Sequence, residues 1–342
     1  MQLDKFDYNL PPELIAQKPT DKRDHSRLLV YKNGIIEHKS FFDLLDYLEA
    51  GDALVLNDSK VFPARLIGSR QETGGKAEVF LLKEKKDNIW ECLIGHTKAK
   101  IGLVIEFKED LTAELIEVLD NSCLVRFNEN GEKLKNIIDR IGQTPLPPYI
   151  KTEDSKDIKD RYQTVYAHQS GSVAAPTAGL HFTEDLLNKL KAKGVQIEYV
   201  TLHVGLGTFA PVKVDDITKH KMHSEYYEIE EKVWNNILQA KRNNKKIVAV
   251  GTTATRVLES VAIKMQLSGW TEIFIYPGYE YKIIDSLITN FHLPKSTLLM
   301  LVAALLEDNG SSDGTVELKR IYQEAIEKKY RFYSFGDAML IL

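Results

Sequence analysis

The sequence predicts an α/β protein: a mixed, largely parallel sheet with flanking helices, plus an inserted small β-barrel. Two observations carry the first half. Apolar, β-branched runs at residues 53–56, 195–204 and 246–250 each end in a small-residue or polar turn, and helical patterns begin after residues 182 and 250. Strand, helix, strand in succession implies a parallel pair, so the run at 172–176 is expected to lie beside the strand at 195–204. The barrel rests on a change of texture. Between about residues 65 and 149, short runs at 77–82, 89–94, 111–116 and 123–127 are closely spaced and divided by polar turns.

In chain order, the strand at 53–56 stops at Asn57-Asp58-Ser59, with Arg65 shortly after. Pro145-Leu-Pro-Pro-Tyr149 and the charged stretch 151–161 make a plausible exit from the barrel. Expected domains are therefore 1–64 with 152–342 for the α/β part and 65–151 for the barrel. Cys92 and Cys123 sit in strand-like runs without metal-ligand spacing and read as buried, reduced thiols. Ser172-Val-Ala-Ala-Pro-Thr-Ala-Gly-Leu-His-Phe182 is an apolar run stopped by Pro176 that opens into a loop carrying Thr177, Gly179 and His181. Thr183 is a helix cap, Glu184 and Asp185 suit the positive helix end, and Gly194 is a stop signal.

The strand at 195–204 carries His203 at its end and runs into Gly205-Leu-Gly-Thr-Phe209, which offers Gly205, Gly207 and Thr208. Tyr226-Tyr-Glu-Ile reads as another strand. The strand at 246–250 closes in Gly251-Thr-Thr-Ala-Thr-Arg256; Gly251, Thr252, Thr253 and the Arg256 guanidinium stand where an anion is held. Residues 271–276 read as a strand leading into Pro277-Gly278-Tyr279, and residues 296–304 as an apolar helix. Residues 316–329 form a helix whose stripe of Leu318, Ile321, Tyr322, Ala325 and Ile326 is most simply packing.

Each of these loops lies at the carboxyl end of a strand, where open α/β sheets bind ligands, so several are expected to converge on one pocket. His181, just before a helix, reads as a base or substrate contact, or as a packing histidine; His203 and His292 carry the same readings. His220-Lys-Met-His-Ser-Glu225 has the spacing of a metal half-site, but no second ligand cluster follows, and contact with an organic substrate or with one another is the simpler reading. The Gly-Lys-Ser/Thr ending of a phosphate loop, a G-x-G-x-x-G turn beside a strand, and Gly-x-Ser-x-Gly are all missing. That disfavours a P-loop enzyme, a nicotinamide dehydrogenase and an α/β-hydrolase.

At 342 residues and 43% hydrophobic, the chain is long enough for two domains. The N-terminus lacks signal-peptide character and no apolar run approaches the ~18 residues of a membrane span, so a cytoplasmic location is expected. The net charge of −4 gives no global attraction to nucleic acid, yet residues 60–108 hold ten Lys/Arg against six Asp/Glu. The run Lys83-Glu-Lys-Lys86 either faces a phosphate backbone or is an ordinary solvated surface.

Together these segments resemble one family, the S-adenosylmethionine:tRNA ribosyltransferase-isomerases of queuosine synthesis. The resemblance spans nearly the whole chain. It rests on Phe6-Asp-Tyr with Leu14-Ile-Ala-Gln17, Leu54-Val-Leu-Asn57 through Pro63-Ala-Arg65, Arg161-Tyr-Gln-Thr-Val-Tyr166 and the 173–182 run. It continues through His203-Val-Gly-x-Gly-Thr-Phe209, His223-Ser-Glu225, Gly251-Thr-Thr253 with Arg256, Ile288-Thr-Asn-Phe-His-Leu-Pro294 and Phe335-Gly-Asp337. The resemblance implies a transferase that takes the ribosyl part of S-adenosylmethionine, a co-substrate, onto 7-aminomethyl-7-deazaguanine at the tRNA wobble position. Products are epoxyqueuosine-tRNA, adenine and methionine. No tightly bound cofactor, no membrane and no metal is expected, and a monomer is.

Expected roles follow. His181 is base or proton shuttle, and Arg256 with the Gly251 loop anchors the methionine carboxylate. Glu225 or Asp58 reads the deazaguanine donor face, with His203 alongside. Tyr166, Gln163, Arg65, Asn290 and His292 join Thr177, Gly179, Gly205, Gly207, Thr208, Thr252 and Thr253 as binding residues. Two rival readings are an RNA-binding module without catalysis and an S-adenosylmethionine-dependent RNA methyltransferase.

Overall fold

The computed structural model describes residues 1–120, 122–151, 155–205 and 212–342. A hairpin begins the regular structure, with β1 (Arg27–Lys32) buried along its centre and β2 (Ile35–Ser40) exposed. The apolar run after it is β3 (Ala53–Asn57), buried at every position as a strand covered on both faces must be. After a turn at Asp58 comes the short β4 (Ser59–Val61).

The next six strands are β5 (Arg65–Arg70), β6 (Lys76–Lys86), β7 (Ile89–Gly95), β8 (Val104–Glu106), β9 (Thr112–Val118) and β10 (Cys123–Phe127). They close into a barrel in the order β10-β7-β6-β5-β8-β9. Alternation does the work: Ala77, Val79 and Leu81 of β6 face inward while their neighbours face out. Cys92 and Cys123 are register partners across β7 and β10, both buried and free, as expected of structural thiols. A helix not among the expected elements, α1 (Gly131–Ile141), packs Leu134, Ile137 and Ile138, an i, i+3, i+4 stripe, into the barrel core. The chain then returns to its starting point, because the backbones of Arg65 and Gln143 exchange hydrogen bonds of 3.3 and 2.8 Å.

Beyond the barrel lie α2 (Lys156–Arg161), β11 (Gln169–Ser172), α3 (Glu184–Lys193), β12 (Gln196–Leu202), β13 (Glu225–Glu228) and α4 (Glu231–Arg242). Then come β14 (Ile247–Val250), α5 (Gly251–Lys264), β15 (Ser268–Thr271), β16 (Ser286–Asn290), α6 (Thr297–Asp308), α7 (Gly314–Glu327) and β17 (Ala338–Ile341). The start and stop signals of α3 act as written: the Thr183 hydroxyl accepts from Leu186 N, and Gly194 takes a left-handed φ of 94°.

Nine strands form one sheet in the order β15-β13-β12-β3-β14-β16-β17-β1-β2. It is mixed: β12, β3, β14 and β16 make a parallel block at the centre, β17 and β1 also pair in parallel, and the remaining pairs towards the edges are antiparallel. Helices α5, α6 and α7 pack on one face around Val257, Leu258 and Met300, and α3 covers the other through Leu186 and Leu190.

Two expected strands differ. The run at 172–176 leaves β-structure at Ser172; β11 pairs with β4 in a separate ribbon, and β3 is the parallel neighbour of β12. Two bonds dock that run onto the end of β12 instead: Val204 N donates to Ser172 Oγ (2.8 Å) and Val173 N to Val204 O (3.0 Å). Pro176 has no N–H to continue a ladder. At 271–276 the strand is displaced upstream to β15, which ends where Ile273 N donates to Thr271 Oγ1 (3.2 Å).

The 3₁₀ turn Thr177–His181 packs so closely that a Cβ on Gly179 would collide with the Tyr166 hydroxyl and come within 2.8 Å of Thr164 Cγ2. Gly179→Ala should therefore destabilise the fold by about 1–3 kcal/mol in urea unfolding. Adding Tyr166→Phe, which removes the colliding oxygen, should return part of that loss; an additive double-mutant cycle would refute the packing account.

Candidate active site

Five segments meet in one cavity at the carboxyl end of the parallel block. They are the 174–178 run, Val204 at the end of β12, the start of α5, the 289–293 turn after β16, and Tyr333 with Ser334. Tyr149 and Tyr162 complete the wall, and the enclosed volume is about 90 Å³. Of the strand-end loops singled out in the sequence, those at 172–182 and 251–256 line the cavity, and Val204 brings the end of β12 to it. The Pro277-Gly278-Tyr279 loop lies elsewhere, its Gly278 N bonded to Glu307 Oε2 at 2.9 Å. No Lys, Arg, Asp or Glu lines the cavity among the described residues.

The helix contribution is the N-terminus of α5. Gly251, at φ 83°, lets the chain turn straight from β14 into the helix, and the preceding Val250 offers no side-chain cap. The first-turn N–H groups at Gly251, Thr252 and Thr253 therefore present partial positive charge to the cavity. The Thr253 hydroxyl is enclosed without a protein partner.

Asn290 supplies the complementary pole. Its Nδ2 is engaged by His181 Nε2 (3.1 Å), Tyr333 O (3.2 Å) and Asp337 O (3.5 Å). Rotating the amide by half a turn would set its oxygen against two carbonyls, so the orientation is determined by the network. Oδ1 is left buried with no partner in a residue that lines the cavity, and an orphaned acceptor of this kind calls for a ligand donor.

His181 stands behind this wall and not in it. Nε2 accepts from Asn290, which puts the proton on Nδ1, 2.7 Å from Ser26 Oγ; the ring stacks on Phe41 with centroids 5.0 Å apart. Burial first, and then Arg331 and Arg23, push its pKa down to about 3, so the imidazole is neutral. The expected base is thus placed as a support for Asn290. His292 does line the cavity, with Nε2 2.8 Å from Thr289 Oγ1 and its pKa also pushed by burial to about 3.

Arg256 and Glu225 were expected to meet substrate separately; the structure pairs them with each other. The guanidinium Nη1 contacts Glu225 Oε2, both groups being buried, and Glu225 Oε1 accepts from Gly205 N at 2.8 Å. Thr177, Gly251, Thr252, Thr253, Asn290 and His292 line the cavity, whereas Gly179 and Gly205 do not. Gly207 and Thr208 lie outside the described residues. Gln163 clasps the Val61 backbone through both amide atoms, Tyr166 packs under the 177–181 turn, and Arg65 forms a bidentate pair with Glu78 at 2.9 Å. His220 packs against Phe274 and Glu225 turns to Arg256, so the half-site spacing gathers no metal-like cluster among the described residues.

Asp58 and His203 form a separate shoulder on the sheet. Thr201 Oγ1 donates to Asp58 Oδ1 (2.7 Å), and burial raises the Asp58 carboxyl while lowering the His203 imidazole. Tyr149, Tyr162, Tyr333 and Ser334 were missed as wall residues. The available signal was Phe335-Gly-Asp337, because Asp337 takes Arg27 N (3.1 Å) and Arg331 N (2.9 Å) and so fixes the turn, with Tyr333 at φ 71°.

Known proteins match the chain along its full length. A family profile described as "Queuosine biosynthesis protein" matches residues 3–341. The chain belongs to this family. It is 51% identical over 345 residues to "S-adenosylmethionine:tRNA ribosyltransferase-isomerase" of Sulfurihydrogenibium sp. (strain YO3AOP1), with all of both chains covered. The protein of that name from Clostridioides difficile (strain 630) is 50% identical over 350 residues, again with full coverage. The crystal structure of S-adenosylmethionine tRNA ribosyltransferase from Thermotoga maritima matches 99% of this chain and 100% of its own, at 38% identity and a TM-score of 0.56.

The two neutral histidines make stability pH-dependent. Folded, each takes up a proton only near pH 3; unfolded, each does so near 6.5. Between those values the unfolded chain binds more protons, so their contribution is complete above pH 6.5 and is lost as pH falls towards 3. The slope is about 1.4 kcal/mol per pH unit per histidine. Denaturant midpoints measured from pH 7 to pH 4 should show it, and His292→Gln should flatten it; an unchanged slope in that variant would contradict a neutral buried imidazole.

Proposed function

We propose that the protein transfers the ribosyl moiety of S-adenosylmethionine to 7-aminomethyl-7-deazaguanine at the wobble position of tRNA and isomerises it, giving epoxyqueuosine-tRNA, adenine and methionine. The observation that carries this reading is the full-length 51% identity to a protein of that named activity. The cavity is compatible with it, since no Lys or Arg among its described lining residues would repel a cationic sulfonium.

In this reading the amino-acid end of the donor enters the cavity. Its carboxylate meets the N–H groups of Gly251, Thr252 and Thr253, and its ammonium meets Asn290 Oδ1. An enclosed space of about 90 Å³ is well below the ~300 Å³ of a typical ligand pocket, so the nucleoside lies along the open side. Loss of the 5′ proton next to the sulfonium gives an ylide, whose electron pair forms a C4′=C5′ bond as the C4′–O bond breaks; the freed oxygen becomes the C1′ aldehyde as adenine leaves with a proton. The aminomethyl nitrogen of the base then adds to C4′ and gives up a proton, the ylide so regenerated at C5′ bonds to C1′, and the resulting alkoxide displaces methionine from C5′ to close the epoxide. His292 is the imidazole placed to relay these protons; held neutral, it adds no repulsion to the sulfonium. His181 acts through Asn290 as a positioning residue. Asp58, with His203, reads the donor edge of the deazaguanine.

The reading extends to a catalytic unit of residues 1–64 and 152–342 with the 65–151 barrel inserted, acting as a monomer in the cytoplasm without a tightly bound cofactor. Adenine release decides between it and the rival classes. Incubated with S-adenosylmethionine and the modified tRNA, the protein should liberate adenine and methionine; S-adenosylhomocysteine would indicate a methyltransferase, and no turnover an RNA-binding module. Asn290→Asp places a charge opposite the ammonium but loses donors to His181, Tyr333 and Asp337, whereas Asn290→Ala removes the acceptor. The alanine variant should weaken donor binding in calorimetry by about tenfold or more, in line with loss of a charge-assisted bond. Undiminished donor affinity would remove Asn290 from the donor site.

A further inference from the structure

We propose that three aromatic rings in a row, His203, Tyr226 and Trp270, form the binding track for unpaired nucleotides of the RNA substrate, with Lys83 of the barrel at its outer end. This inference rests on the RNA-modifying reading above. Tyr226 and Trp270 are register partners across β13 and β15, and His203 N donates to Tyr226 O at 3.0 Å. One side chain from each of three neighbouring segments therefore points to the same sheet face at the same level. Ring centroids are 6.4 Å apart from His203 to Tyr226, with planes 14° from parallel, and 5.6 Å from Tyr226 to Trp270.

Position gives the row a direction. His203 adjoins Val204, which lines the cavity, and it shares its shoulder with Asp58. Exposure rises outward to Trp270, 47% exposed on an edge strand. There the Lys83 ammonium lies 4.0 Å from the indole centroid, and Lys264 Nζ donates to Trp270 O at 2.6 Å. Cross-strand packing alone explains why the rings touch. It does not explain an indole left half in water beneath a lysine from the barrel. Rings that stack bases beside cations that meet phosphates are the chemistry by which proteins hold unpaired RNA.

The test uses the full-length protein and a synthetic anticodon stem-loop carrying the modified base. Trp270→Ala should raise KM for the RNA about tenfold, with kcat, S-adenosylmethionine binding and melting temperature near wild type. Trp270→Phe, which retains a stacking face, should restore most of the affinity, and Lys83→Ala should lower the slope of log affinity against log salt by about one. Trp90 and Trp234 are only 8% and 7% exposed, so stem-loop binding should quench the Trp270 emission in wild type and not in Trp270→Phe. Wild-type RNA affinity in both Trp270→Ala and Lys83→Ala, or unquenched emission at saturating RNA, would overturn the proposal. Absence of adenine release by the wild type fails the underlying activity instead, so the two failures read differently.

Discussion

The arrangement of the site depends on one buried ion pair, Arg256 with Glu225. Taking two charges out of water costs several kcal/mol each, and only close geometry with further hydrogen bonds offsets that cost. Glu225 meets the requirement by accepting from Gly205 N as well, and Arg256 Nη2 reaches towards Thr271 O at 3.5 Å. Four places are thereby tied together: the first turns of α5, the chain just past β12, the start of β13 and the end of β15. Because the guanidinium is engaged inside this knot, α5 presents to the cavity only the backbone and side chains of Gly251, Thr252 and Thr253.

That division suits a cationic donor. A guanidinium facing the cavity would repel a sulfonium, whereas the partial charges of a helix end act over about one turn and favour a carboxylate without adding a formal charge. The histidines obey the same constraint, since both are kept neutral by burial. His181 illustrates the indirect side of it. Its imidazole never reaches the cavity, but by occupying one of the two Asn290 Nδ2 donors, with the Tyr333 and Asp337 carbonyls sharing the other, it fixes the amide and leaves Oδ1 without a protein partner.

Much of the framework was legible in the residues. The β14 run, the glycine that starts α5, the Thr183 cap and the barrel texture each depend on local propensity or alternation, which a chain displays directly. What escaped depended on tertiary pairing. Arg256 and Glu225 are 31 residues apart and each resembles a substrate ligand when read alone; only the fold shows that each is the other's partner. The 172–176 run is apolar because it is buried, and burial without a ladder has the same composition as a buried strand. The α1 helix was legible too, since Leu134, Ile137, Ile138 and Ile141 recur at helical spacing, although the strand-like runs before it suggest only a barrel.

The same buried pair also sets the outer surface. Side chains alternate along β13, so Glu225 pointing to Arg256 obliges Tyr226 to point the other way, onto the face shared with His203 and Trp270. Thr271, which Arg256 contacts, is the register partner of Glu225, and Trp270 that of Tyr226. The knot and the ring row are thus the two sides of one strand pair at adjacent levels. A one-residue slip of β13 would put Tyr226 against the guanidinium and strand Glu225 in the open, a double loss that fixes the register. The buried pair that braces α5 against β13 therefore also determines which rings share the outer face, and the cavity and the ring row are held in one geometry by a single constraint.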